Sequence, residues 1–236
     1  MAIARIGPNA ILRVAEALNV ETVASTQTDE TGIDLVRTVF GAAKLEHHLE
    51  SPPQDMVPED DVVALQDALW RLLGNERADM VNCDAGQRTA RYLLNHRIPR
   101  PAQWLMKILP APLAARILMS SIGHHAWTFA GSGSFSWQGE RAGMTFRIAD
   151  CPYCRGSCNH GRAAVGVETQ NARSAEARPT CSYVAATFEY LFRVLVQRTT
   201  VVKETACQGH GAPACEFEIR WRSGQLAPAA EDKPHG

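Results

Sequence analysis

No stretch of the chain runs for about 18 apolar residues without a charge, so the sequence predicts no transmembrane helix. Nor does it open on the apolar core of an export signal. Residues 1–18 read as an amphipathic helix containing Arg5, Arg13 and Glu16. Net charge is nearly absent: 24 Lys and Arg stand against 25 Asp and Glu, a formal −1 at pH 7. That balance excludes a nucleic-acid binder driven by bulk positive charge. A hydrophobic fraction of 45% with 21% charged residues also excludes collagen-like, coiled-coil and disordered chains. There is no phosphate-binding P-loop. The nearest approach to a dinucleotide fingerprint, Gly131-Ser132-Gly133, lacks its third glycine and leads into a predicted strand rather than a helix. A flavin site, which often has no short motif, stays open.

What is present begins with cysteine. There are 7, an odd number, in 236 residues with no export signal, which predicts a cytoplasmic protein, at most peripheral to a membrane, with reduced thiols. Charge is unevenly spread. Residues 1–85 hold 6 basic and 15 acidic side chains, and residues 86–236 hold 18 and 10. Two oppositely charged faces result, and the basic one suits a ligand carrying carboxylates or phosphates.

Apolar periodicity predicts helices over residues 8–18, 32–43, 62–73, 78–96, 102–109 and 113–129. Gly74 is read as a stop, and Ile98-Pro99-Arg100-Pro101 as a breaker. After Phe129 the pattern changes. Residues 134–138 and 144–149 read as a hairpin, 183–197 as a long helix, and 199–205 and 214–221 as strands around a Gly-rich turn. The class is α+β, a helical N-terminal half followed by an antiparallel sheet with a packed long helix. The division is a helical region, 1–112, a ligand-binding domain, 113–221, and a disordered tail, 222–236.

Cys151, Cys154 and Cys158 form C-x2-C-x3-C with His160 close behind, and Cys181, Cys207 and Cys215 follow. Zinc takes four nitrogen or sulfur ligands in a tetrahedron, and cysteine pairs from separate loops supply them. Cys207 and Cys215 flank a turn, Cys181 opens the long helix, and Cys151 or Cys154 would close a structural site. Cys151, Cys154, Cys158 and His160 all remain open as the fourth ligand. Four thiolates also hold an iron–sulfur cluster, the competing reading. Cys83, alone in a helix, is read as a free thiol.

The segment Glu204, Cys207, Gly211, Cys215 and Phe217, preceded by Cys181, matches C…E-x2-C-x3-G-x3-C-x-F at every position. It resembles the vinyl-4-reductase-type small-molecule-binding domain, over about residues 117–221. The resemblance implies a ligand-binding domain of the NO-signalling/Golgi-transport type. The Cys181, Cys207 and Cys215 spacing also looks like that of the zinc cysteines in the sensing domains of phenol-responsive regulators. With residues 5–12 included, the chain is similar to the J-protein family of bacteriochlorophyll biosynthesis, a photosynthesis family whose members have been named 4-vinyl (8-vinyl) reductases. This resemblance implies a tetrapyrrole ligand and partner enzymes of that pathway. The role is an accessory or carrier protein, or else the vinyl reductase itself. A tetrapyrrole is a flat apolar disc with carboxylates on one edge, and the 113–129 helix offers Ile117, Leu118, Met119, Ile122, Trp127 and Phe129 to it. His124 or His125 is the candidate for its central metal, and Arg88 and Arg91, with Arg97 and Arg100, for its propionates. The apolar excess of the same helix, with the resemblance, predicts a homodimer. His47-His48 is read as surface.

Overall fold

The computed structural model describes residues 4–26, 34–139, 143–155 and 181–221. Cys158, His160 and the tail 222–236 lie outside them. The described elements run β1 (Arg5–Ile6), α1 (Asn9–Thr26), α2 (Leu35–Ala42), α3 (His47–Glu50), β2 (Val57–Pro58), α4 (Glu59–His96), α5 (Arg100–Ile108), α6 (Ala111–His124), α7 (Trp127–Ala130), β3 (Ser134–Gly139), β4 (Gly143–Ala149), α8 (Pro152–Arg155), α9 (Ser182–Leu195), β5 (Val201–Ala206) and β6 (Cys215–Arg220). The α+β class and the order of helices and strands are those the sequence predicts.

The long α4 reverses direction. Gly74 sits at φ 71° and ψ 176°, a conformation that only glycine adopts readily. Gln66 and Asn82, eight residues before and after it, exchange two amide hydrogen bonds of 3.0 Å each. A straight helix would hold them about 24 Å apart. The two arms, 59–73 and 75–96, are therefore an αα-hairpin, with Gln66 and Asn82 both 1% exposed between them. Removing one amide orphans the other in an apolar interior. Gln66→Ala should cost about 1–3 kcal/mol in urea unfolding, and a joint replacement by leucines less.

α1 lies along α4, and the second arm of α4 lies along α9. Their contact is close, because Thr187 Oγ1 donates to the carbonyl of Gly86 at 3.1 Å and Thr89 Oγ1 meets the Tyr183 hydroxyl at 2.7 Å. α9 in turn covers a four-stranded antiparallel sheet of order β3-β4-β6-β5. Alternation buries Met144, Phe146 and Ile148 of β4 and Cys215, Phe217 and Ile219 of β6 on that one face. Phe146 stacks between Phe188 of α9 and Phe217, with ring centroids 4.2 and 4.5 Å away. One connected core runs from Ile6 and Ile11 through Leu65 and Ala85 to Phe217, across both sides of the 112/113 division.

Two details differ from the sequence reading. The helix expected over 113–129 stops at His124, and α7 follows after Ala126. His124 Nδ1 and His125 Nδ1 bond the carbonyls of Ser120 and Ser121, at 2.7 and 3.0 Å, and so satisfy the last turn locally. His48 is not a surface residue. It turns inward onto Asp61, at 2.9 Å, which brings a third ligand-type group to His47 and His48.

Candidate metal centre

Five of the six cysteines expected at the metal converge behind the sheet. Cys151 and Cys154 come from the turn of α8, Cys181 caps the N-terminus of α9, and Cys207 and Cys215 stand at the facing ends of β5 and β6. All five are buried, none more than 3% exposed. The sulfurs of Cys154 and Cys215 are 3.3 Å apart, Cys181 and Cys215 3.5 Å, Cys151 and Cys181 3.7 Å, and Cys207 and Cys215 3.8 Å. Cys83 stands apart as a single thiol, and burial pushes it up to about 11.

Each element reaches this point for a traceable reason. α8 is anchored by Arg155, which pairs with Glu59 at 2.6 Å and donates to the Asp150 carbonyl at 2.8 Å. Glu59, 3% exposed at the start of α4, also accepts from the backbone N–H and hydroxyl of Ser132. Gly131 is required there, because a Cβ would lie 2.2 Å from Glu59 Oε2, and its φ is +59°. A Cβ on Gly133 would likewise meet the Ala149 carbonyl at 2.5 Å. These glycines thus serve close packing within the chain, and the turn leads into β3, as the sequence reading held. Cys151 N–H donates to Gln208 Oε1 at 2.8 Å, tying α8 to the turn between Cys207 and Cys215.

Glu204 completes the cluster. It points inward from β5 and is 6% exposed, with Oε2 accepting the Cys181 N–H at 3.1 Å. Its Oε1 is buried without a hydrogen-bond partner. Burial, and then the charge at Cys207, push its carboxyl up to about 9. Hydrogen bonds from Cys151, and then from Cys181, Cys207 and Cys215, hold Cys154 well below the ordinary thiol range, while loss of hydration pushes Cys181 well above it. Crowded thiols around an orphaned carboxylate oxygen are what a cation would relieve, since a bound metal favours every thiolate and carboxylate at once. Two sets have ligand atoms all within 4.8 Å of one another: Cys151, Cys154, Cys181 and Cys215, and Cys181, Glu204, Cys207 and Cys215. The buried cluster can therefore hold a metal ion. Glu204 was legible only as a position in the matched spacing, with nothing in the sequence marking it as a ligand.

The residues expected to meet a flat pigment are not gathered in this way. His124 and His125 are exposed at the C-terminal end of α6, and Trp127 is 59% exposed just beyond. Arg88 is paired with Asp84 at 2.7 Å and Glu16 at 3.8 Å. Arg91 lies over the Tyr190 ring and donates to its hydroxyl at 3.3 Å. None of these contacts joins the arginines to the histidines. Arg97 and Arg100 are exposed.

An antiparallel sheet covered by one long helix, closing a buried cluster of metal-ligand type at its strand ends, defines the class. The family model of the vinyl-4-reductase domain matches residues 167–221. Two relatives align along nearly the whole chain, both named "bacteriochlorophyll synthase 23 kDa chain". The one from Cereibacter sphaeroides is 35% identical over 222 residues, covering 91% of this chain and 90% of the relative. The one from Rhodobacter capsulatus is 34% identical over 215 residues, covering 91% and 86%. The chain belongs to the family of the bacteriochlorophyll synthase 23 kDa chain. Among solved structures it is similar to the phenol-responsive sensory domain of the transcription activator PoxR with phenol, at 17% identity and a TM-score of 0.40, covering 70% of this chain and 74% of that one. Among the described residues no helix is long and apolar enough to cross a membrane.

Proposed function

We propose that the protein is a tetrapyrrole-binding accessory or carrier protein of bacteriochlorophyll synthesis, stabilised by a structural zinc. The observation that carries the pathway is the alignment, over nine-tenths of the chain, with two relatives named for bacteriochlorophyll synthase. Zinc is favoured by the donor set and its spacing. A tetrahedron with Zn–S near 2.3 Å has sulfurs roughly 3.8 Å apart, and the measured separations are 3.3–3.8 Å. Thiolates that each bind a different iron of a cluster stand wider apart than contact. Cys181 and Cys215 belong to both candidate sets. Cys207 with Glu204, or Cys151 with Cys154, completes the shell, and the orphaned Oε1 favours Glu204. A metal so enclosed leaves no open position for water and holds the sheet, α8 and α9 together rather than doing chemistry.

The pigment is assigned to the α6–α7 corner. A carbonyl can only accept, so the bonds to Ser120 and Ser121 put the proton on Nδ1 of His124 and His125 and leave each Nε2 with a lone pair. A backbone-fixed tautomer is the usual arrangement for a metal-binding imidazole. The pigment's magnesium is the partner proposed for one of the two. The exposed Trp127 ring supplies an apolar face, and Arg91 and Arg88 reach propionates only by exchanging their present partners. Titrating purified protein with magnesium protoporphyrin should shift the pigment's absorption band and quench tryptophan fluorescence. A joint His124→Ala and His125→Ala change should weaken binding about tenfold or more. Mixed with a divinyl pigment and NADPH alone, the protein should yield no ethyl product. Its appearance would restore the vinyl-reductase reading.

A further inference from the structure

Between Asp84 and Glu140 the sequence holds no acidic residue and six cationic ones, Arg88, Arg91, Arg97, Arg100, Lys107 and Arg116. The middle of this stretch is the α5–α6 pair, joined only by Leu109 and Pro110. α5 buries Met106 and turns Trp104, Leu105 and Ile108 outward, at 65%, 45% and 57% exposure. Residues at i, i+1 and i+4 share one side of a helix. α6 buries Ala114, Ala115, Leu118 and Met119 and leaves Leu113 and Ile117, also at i and i+4, facing solvent at its N-terminal end. Five large apolar side chains thus stand on adjoining ends of two short helices. Arg97, Arg100, Lys107 and Arg116 are exposed beside them.

We infer that the α5–α6 tip is a docking surface for an anionic lipid bilayer. An interfacial helix combines a tryptophan- and leucine-type face with a basic rim, its apolar side entering the headgroup boundary while the cations meet lipid phosphates. Both halves are present here, and no carboxylate within the stretch opposes the attraction. A second copy of the chain fits the same tip poorly. A two-fold interface would bring two sets of these four cations together with no acidic residue of α5 or α6 to pair them. Docked in this way, the protein lies on the membrane without spanning it, and the α6–α7 corner, one helix length away, stays in water.

The test is flotation of the pigment-free, full-length protein with vesicles. The protein should float with phosphatidylcholine vesicles containing phosphatidylglycerol and stay at the bottom with phosphatidylcholine alone. High salt should release it, because screening reaches these exposed cations. Trp104→Glu with Ile108→Glu should lower the bound fraction about tenfold or more. Both side chains are more than half exposed, so circular dichroism should match the parent. Arg100→Gln, Lys107→Gln and Arg116→Gln together should remove the preference for anionic vesicles. Parent protein that fails to float, or a W104E/I108E variant that floats as the parent does, overturns the proposal. So does sedimentation in which the parent is a dimer and that variant a monomer, since the tip is then a subunit interface.

Discussion

Cys215→Ser should strip the protein of its metal and unfold its C-terminal half. Cys215 is the hub of the cluster. Its sulfur touches those of Cys154, Cys181 and Cys207 and accepts a bond from Gln208 N–H at 3.5 Å. It also belongs to both sets that can enclose an ion. Structural zinc sites are worth about 10–16 kcal/mol of apparent binding energy, which is folding energy when no site exists in the unfolded chain. That matches or exceeds the roughly 5–15 kcal/mol by which whole domains are stable. Elemental analysis should find about one zinc per chain in the parent and none in the variant, and the variant's sheet signal should be lost. Cys83→Ser, at the solitary thiol, should change neither. Glu204→Gln compared with Cys154→Ser then tells which residues complete the shell, since the variant on the unused side keeps its metal. Full metal and stability in Cys215→Ser would rule out a metal at this cluster.

Gly86→Val should loosen the junction between α4 and α9. A Cβ at Gly86 would lie 2.4 Å from the Tyr183 carbonyl and 3.1 Å from both Ala186 Cβ and Thr187 N. Two of these are backbone atoms, which cannot rotate away. The helix gains up to about 1 kcal/mol when glycine is replaced, but forcing the two backbones apart costs about 3 kcal/mol or more and disturbs the Thr187 bond to the Gly86 carbonyl. The melting temperature should fall by about 6–12 °C. Gly123→Ala is the control. Its added Cβ meets nothing closer than 3.7 Å, so it should be neutral or slightly stabilising.

Features that rest on local pattern were legible in the sequence. The Val62, Leu65, Leu69 face, the Gly74 reversal, the hairpin of β3 and β4 and the helix bearing Val184, Phe188 and Leu191 are all set by residues close in the chain. What joins distant residues was not. β1 and β2 pair Ile6 with Val57 through two residues each, too short to leave an alternating pattern. Glu59 and Arg155 are an ordinary acid and base until the fold brings them together in one buried network. The cysteines announced themselves because thiols at metal-ligand spacing are rare, but a glutamate among them looks like any exposed strand residue. Arg88 and Arg91 read as free cations, whereas each has a partner that only the packing of α1 and α9 supplies.

The α4–α9 junction also sets a clock for synthesis. Thr89 waits for Tyr183, 94 residues later, and Gly86 for Thr187, 101 residues later. At about 5–20 residues per second, the ribosome takes roughly 5–20 s to deliver the second partner. Throughout that interval the α4 hairpin can close on α1 but must keep the side destined for α9 uncovered. The nascent chain therefore carries an apolar helix face through most of its translation, and its yield in a cell should depend on chaperone supply more than its size suggests.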